Sequence, residues 1–119
     1  MNLTGAQNDL LVKLMSASSK RAEVIANNIA NQNTPGFKRR VLAFEELLTK
    51  ALDRGGRDLL SIEPQLTVDE ASPQGSDGNN VNIELEMDAM RQNRLMYETY
   101  ASILASRFEV LRASIESGR

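Results

Sequence analysis

Residues 83–115 read IELEMDAMRQNRLMYETYASILASRFEVLRASI and carry a row of side chains spaced alternately four and three apart. Ile83, Met87, Met90, Arg94, Tyr97, Ala101, Leu104, Phe108, Leu111 and Ile115 form the row, and only Arg94 is not apolar. A sustained period of 3.5 residues is the mark of a coiled-coil seam. The spacing predicts a helix over 82–116. Glu84, Glu86 and Asp88 fall in its first turns, where the helix macrodipole favours anions, and Arg107 and Arg112 fall toward the other end. Arg94 is either a polar residue that fixes register or one that snorkels at the seam's edge, and the sequence leaves both open.

A second helix is expected over 5–31. Thr4 followed by Gln7 resembles a capping box. Leu11, Met15, Ser18, Ala22, Ile25 and Ile29 share one seam, widened by Leu10, Leu14 and Ala26. Two seamed helices far apart in the chain can pair antiparallel as a coiled-coil-like hairpin. The expected fold class is therefore mainly α, a single domain with a weakly structured middle over 32–81. A lone hairpin with one apolar seam on each helix buries little surface. The seams are thus expected to find further partners in other subunits.

The first helix ends in an unusual stretch, ANNIANQNTPGFKRR, residues 26–40. Asn27, Asn28 and Asn31 are poor helix formers and together cost on the order of 2 kcal/mol. Thr34-Pro35-Gly36 is a turn signal, with Pro35 at its second position and Gly36 supplying positive φ. Amides at a helix end can bind the backbone of a passing loop or of a neighbouring subunit, which recovers the cost at about 1 kcal/mol per hydrogen bond. Beyond the turn, VLAFEELLTKALD (41–53) is expected to be a short helix with Phe44, Leu47, Leu48 and Ala51 on one face, ended by Gly55-Gly56. LLSIEPQLTV has strand character that Pro64 interrupts, and DEASPQGSDGNN reads as a long loop.

Composition closes off most chemistry. The 119 residues include no Cys and no His, so disulfides, thiolate metal sites and the commonest general base are absent. The net charge of −2 gives no bulk attraction to nucleic acid. The first residues lack the basic start and apolar run of a Sec-type signal, and no stretch approaches the roughly 18 apolar residues that span a bilayer. The acidic runs EELL and NIELEMD read as helix N-terminal charge on a solvated face. A calcium loop starting at Asp77 fails, with Asn82 at the glycine position and Asp88 at the final glutamate position. The cations of FKRR (37–40) read as a solvated turn flank or an interface rim. An enzyme, a small nucleic-acid binder using Lys38, Arg39 and Arg40, and a cytoplasmic helical adaptor or export chaperone are the competing classes. The enzyme fits the residues least.

The motif resembles the signature of the bacterial flagellar rod and hook axial proteins, with Ala26, Asn27, Asn28, Ala30, Asn31, Thr34, Gly36 and Lys38 matching and Phe37 standing where Tyr is usual. Asp77, Gly78, Asn79, Val81, Glu86, Met87, Asn93, Leu95 and Tyr97 are similar to the short proximal-rod members of that family. The resemblance implies a structural, non-enzymatic subunit without cofactors, whose terminal helices build a torque-transmitting shaft. It implies copies of itself and FliE, FlgC and FlgF as neighbours. It also implies passage through the flagellar type III export apparatus without a cleaved signal, and assembly in the periplasm. In that setting Ala26–Lys38 is expected to be an interface knot that reverses the chain and presents amides to neighbouring subunits.

Overall fold

A computed structural model describes residues 3 to 118, with side chains from residue 5 onward. Its elements run α1 (Leu3–Ala30), β1 (Arg40–Ala43), α2 (Glu45–Asp53), a single 3-10 turn (Leu59–Ser61), β2 (Gln65–Val68) and α3 (Ile83–Ser117). The molecule is a flat rod of 68 × 29 × 15 Å. Helix α3 supplies most of that length, since 35 residues at 1.5 Å rise span about 50 Å. Helices α1 and α3 lie antiparallel: Asn8 meets Arg107, Ser18 meets Asn93 and Asn28 meets Glu86.

Both long helices fall close to the predicted spans. Asn82 caps α3, its side-chain oxygen accepting from the backbone N–H of Glu84 and Leu85 at 3.1 and 3.3 Å. At the other helix the capping reading fails. The helix already begins at Leu3, which puts Thr4 inside it, and the Thr4 side chain lies outside the described residues. The turn after α1 forms as expected. Phe37 N–H donates to Thr34 O at 3.2 Å, and Gly36 holds φ +75°, a conformation that L side chains rarely adopt.

The middle departs from a single helix over 41–53. Residues Arg40–Ala43 are a strand, paired antiparallel with Gln65–Val68 in the register Val41↔Thr67 and Leu42↔Leu66. The partner strand starts directly after Pro64, a position where a missing N–H costs nothing. Phe44, at φ −144°, separates strand from helix and lets α2 begin at Glu45. The anticipated apolar face is otherwise correct, with Phe44, Leu48 and Ala51 buried and Leu47 half-buried.

The apolar core is small. Ala17, Phe44 and Leu48 form it, and Leu10, Leu14, Leu59 and Ile62 pack around them. The α1 seam is enclosed: Ser18 and Ile25 are buried, and Leu11, Met15, Ala22 and Ile29 are half-buried. The α3 row is enclosed only at Ile83, Met90, Ala101 and Leu104, while Met87, Arg94, Tyr97, Phe108, Leu111 and Ile115 stay exposed. Arg94 neither fixes register nor snorkels within the subunit; its side chain is 82% exposed and pairs with Glu98 one turn on.

Truncating Phe44, which has no exposed surface, to Ala should cost about 3–5 kcal/mol, read as a fall in the urea midpoint. Ser18→Ala should do the opposite. The Ser18 hydroxyl is fully buried without a hydrogen-bond partner, so its removal should stabilise the fold by up to about 1 kcal/mol, read as a higher midpoint.

Candidate assembly interface

The asparagines of the motif point in different directions. Asn28 is fully buried and grips the backbone of Arg40 at two points: its Nδ2 donates to Arg40 O and its Oδ1 accepts from Arg40 N–H, both at 2.9 Å. The amide thus takes the place of a neighbouring strand for β1. Its Nδ2 also donates to Glu86 Oε2 at 3.2 Å. Asn31 turns inward on the helix end, donating to Asn27 O at 2.8 Å and accepting from the Thr34 hydroxyl at 3.1 Å. Asn79 arrives from the far side of the chain and donates to Asn31 O and Thr34 O, both at 2.8 Å. Of the two uses open to such amides, Asn28 adopts the passing-loop one, whereas the Asn31 amide bonds its own helix end and turn. The exposed members of the motif are Ala26, Asn27, Ala30, Thr34, Pro35 and Gly36, with Phe37 and Lys38 half-buried.

The FKRR cations are mostly engaged inside the subunit. Lys38 Nζ donates to Gln74 Oε1 and Gly78 O. Arg39 bridges Glu86 and Asp69, and only Arg40 stays exposed. Glu86 is the sharpest departure from the solvated-face reading, since its side chain has no exposed surface. Its carboxylate is held by Arg39 Nε on one oxygen and Asn28 on the other, in the first turns of α3. Asn80 completes the knot, accepting from Arg39 N–H and donating to Asp69 O, both at 2.7 Å.

Glu86 is the first of four polar residues spaced seven apart on α3. Asn93 donates to Ser18 O at 2.7 Å and accepts from Arg21 at 3.1 Å. The Tyr100 hydroxyl donates to Glu45 at 3.0 Å, and Arg107 donates to Asn8 at 2.7 Å. Arg21 ties this column to the middle segment, bonding Glu45 and Leu42 O. The hairpin therefore closes on this polar column together with part of the apolar row, Ile83, Met90, Ala101 and Leu104, while the rest of the row faces outward. Arg21, Glu45, Asn93, Tyr100 and Asn79 were not legible as structural partners in the sequence. The seven-residue recurrence at 86, 93, 100 and 107 was the available signal.

The charges respond to this enclosure. Asp69 sits well below the usual carboxylate range because the Ser72 hydroxyl, Arg39 and the N–H groups of Ser72 and Ala71 all bind its ionised form. Burial pushes Glu45 up, but the hydrogen bond from Arg21, with its charge, outweighs burial and holds it below normal. Burial opposes the Arg39 charge too, and the bonds to Glu86 and Asp69 overcome it and raise its pKa. Burial, then the Glu45 carboxylate, pushes Tyr100 up to about 12. Every such group is spent on an internal partner, and among the described residues no group of three acidic side chains is placed to hold a metal ion. Nor is any described helix long and apolar enough to cross a membrane.

This arrangement locks a hairpin and leaves apolar side chains outside it, which is the build of a structural subunit. Residues 15–38 match the family model of the flagella basal body rod protein. The chain belongs to the flagellar basal body rod proteins. It is 33% identical to the flagellar basal body rod protein FlgB of Borrelia hermsii over 98% of this chain and 100% of that one. It is 32% identical to FlgB of Aquifex aeolicus over 91% of each, and 31% identical to FlgB of Borreliella burgdorferi over 85% of this chain and 89% of that one. Its family within the rod proteins is that of FlgB, which makes it a structural subunit of the basal body, associated with other rod and basal-body proteins.

Replacing Asn28 by Ala should gain about 0.6 kcal/mol of helix propensity and lose about 1–3 kcal/mol by stranding Arg40 and Glu86. The urea midpoint should therefore fall, whereas Asn27→Ala, at an exposed position, should leave it level or raise it. Acid should weaken the fold as well. Asp69 and Glu45 stabilise it fully above their unfolded pKa values, near 3.9 and 4.3, and lose that contribution as pH falls toward their lowered folded values. Thermal stability should drop below about pH 4, and Asp69→Asn should be less stable at pH 7 with a shallower acid limb.

Proposed function

We propose that the chain is a subunit of the proximal rod that assembles through its terminal helices into the torque-transmitting shaft, contacting copies of itself and FliE, FlgC and FlgF. In this reading it leaves the cytoplasm through the flagellar type III export apparatus without a cleaved signal and assembles in the periplasm. The exposed members of the Ala26–Lys38 motif belong to the same assembly surface. The observation that carries the proposal is the exterior of α3. Leu85, Met87, Leu95, Tyr97, Ile103, Phe108, Val110, Leu111 and Ile115 are all exposed there, while the polar column of the same helix is satisfied internally. Each large apolar side chain buried on assembly is worth about 1.5–3 kcal/mol. A patch of this extent marks an interface with protein.

Phe108 is the best probe, because it is 53% exposed and lies outside the core cluster. Leu104, the neighbour one turn earlier, is half-buried in the hairpin and would confound folding with assembly. Phe108→Asp should keep its helical spectrum and be exported, yet leave cells without rods and non-motile. Glu109→Lys, at an exposed charged position, should be milder. Secretion assays and swimming plates read both. Normal swimming of Phe108→Asp, with intact basal bodies, would overturn the proposal.

A further inference from the structure

The small sheet is open along one edge. Strands β1 and β2 pair antiparallel with Arg40 opposite Val68 and Leu42 opposite Leu66. On β1 the outward backbone groups are taken by α1. Asn28 binds both the N–H and the C=O of Arg40, and Arg21 Nε donates to Leu42 O at 3.2 Å. Opposite residues of an antiparallel pair either bond each other or both point away. Arg40 and Leu42 point away from β2, so Leu66 and Val68 point away from β1. The bond from Asp69 N–H to Arg39 O, at 2.9 Å, sets the same alternation. Among the described residues nothing meets the N–H and C=O of Leu66 and Val68 on the far side of β2.

A bare strand edge is a template for a further strand, and proteins commonly guard it with lysine, proline or a bulge. Gln65-Leu66-Thr67-Val68 carries none of these and no charge, and all four residues are exposed. Leu66 and Val68 share one face of the strand and are 52% and 49% exposed. Pro64, without an N–H, occupies the next outward position and marks where a new ladder begins. The charges around the edge say what kind of strand it takes. Glu63 stands beyond one end, and Asp69 and Glu70 beyond the other, with Arg40 one strand further in. Arg39 at the start of β1 already pairs with Asp69, so the inner neighbour of β2 is itself an apolar strand with a basic end. Glu70 is exposed, and the pair of Glu63 with Lys13 is solvated and weak. The β2 of a second copy would bring acids to both ends of the pairing, and like charges across a sheet destabilise it. The chain's own basic-ended strand, β1, is closed off by α1 and cannot serve a neighbour.

We propose that β2 receives a third strand from a different protein: an extended segment with apolar side chains at alternate positions and Lys or Arg at its ends. Main-chain bonds to Leu66 and Val68 supply the affinity, and the apolar positions and basic ends supply the choice of partner. The strand belongs to the middle segment and makes no use of the α3 exterior, so this docking stands or falls apart from the rod reading.

Amide exchange followed by NMR on the full chain tests it, with the blocked hexapeptide Lys-Thr-Val-Thr-Val-Lys as the probe. In the free chain the amides of Gln65 and Thr67, which face β1, should exchange slowly, and those of Leu66 and Val68 fast. The probe at millimolar concentration should slow Leu66 and Val68 and bind about fivefold tighter than its acidic counterpart, Glu-Thr-Val-Thr-Val-Glu. Val68→Pro removes only an outward N–H, a loss that an edge strand tolerates, and should abolish the slowing while Thr67 stays protected. Glu70→Lys, which leaves the backbone untouched, should erase the preference for the basic probe. Absence of any slowing at Leu66 and Val68, or binding of the probe elsewhere on the chain, would overturn the proposal. Equal binding of the acidic probe would overturn the partner's chemistry. Protection of Leu66 and Val68 that grows with the concentration of the chain alone would make a second copy the occupant and overturn it too.

Discussion

One buried carboxylate holds the molecule together. Glu86 lies in the first turns of α3 with no exposed surface, yet carries a charge that would be costly alone. Arg39 and Asn28 meet it, and each brings another part of the chain. Asn28 belongs to α1 and holds the backbone of β1 at Arg40; Arg39 reaches on to Asp69 past β2. The end of α1, the two-stranded sheet and the start of α3 are thereby fixed to a single point. The favourable end of the α3 dipole adds to the arrangement. Breaking a buried pair by removing one partner is far worse than never having built it. The knot is therefore sensitive at both partners: loss of Asn28 leaves the Arg40 backbone unpaired and Glu86 one bond short, and loss of Arg39 leaves Glu86 without its counter-charge.

Much of this fold could be read from spacing alone. The long helices, the Thr34–Phe37 turn and the face of α2 follow from periodicity and turn chemistry, because burial there is apolar and repeats regularly. What escaped was polar. Glu86 and Glu45 were indistinguishable in sequence from solvated acids, since the partner that buries a carboxylate sits 24 or 47 residues away. The strand at Val41 and Leu42 was likewise hidden. Its pairing partner follows a proline, and its other side is satisfied by an asparagine side chain, which no strand pattern announces. Of the motif residues, Asn28 lies inside α1 and its amide is repaid by the chain's own backbone at Arg40, while Asn31 falls just past the helix end. The row on α3 was legible as a seam; that a polar column one position beside it would share the hairpin contact was not.

That one-position offset divides the work of α3. A polar column contributes little net stability compared with an apolar one, because each buried hydrogen bond mainly repays its own desolvation. It is, however, unforgiving of slippage. Moving α1 by one turn against α3 would separate Asn8 from Arg107, Ser18 from Asn93 and Asn28 from Glu86 together. Register is thus set within the subunit by groups that have no use for a neighbour, and the apolar surface is held in reserve on the flanks. An apolar hairpin seam would have reversed this, consuming the hydrophobic side chains internally and leaving polar ones to make subunit contacts. The small core around Phe44 is consistent with the same division. The isolated chain needs only enough cohesion to present α3 in one register, and the larger gain from burying Phe108, Val110 and Ile115 is deferred until other subunits are beside it.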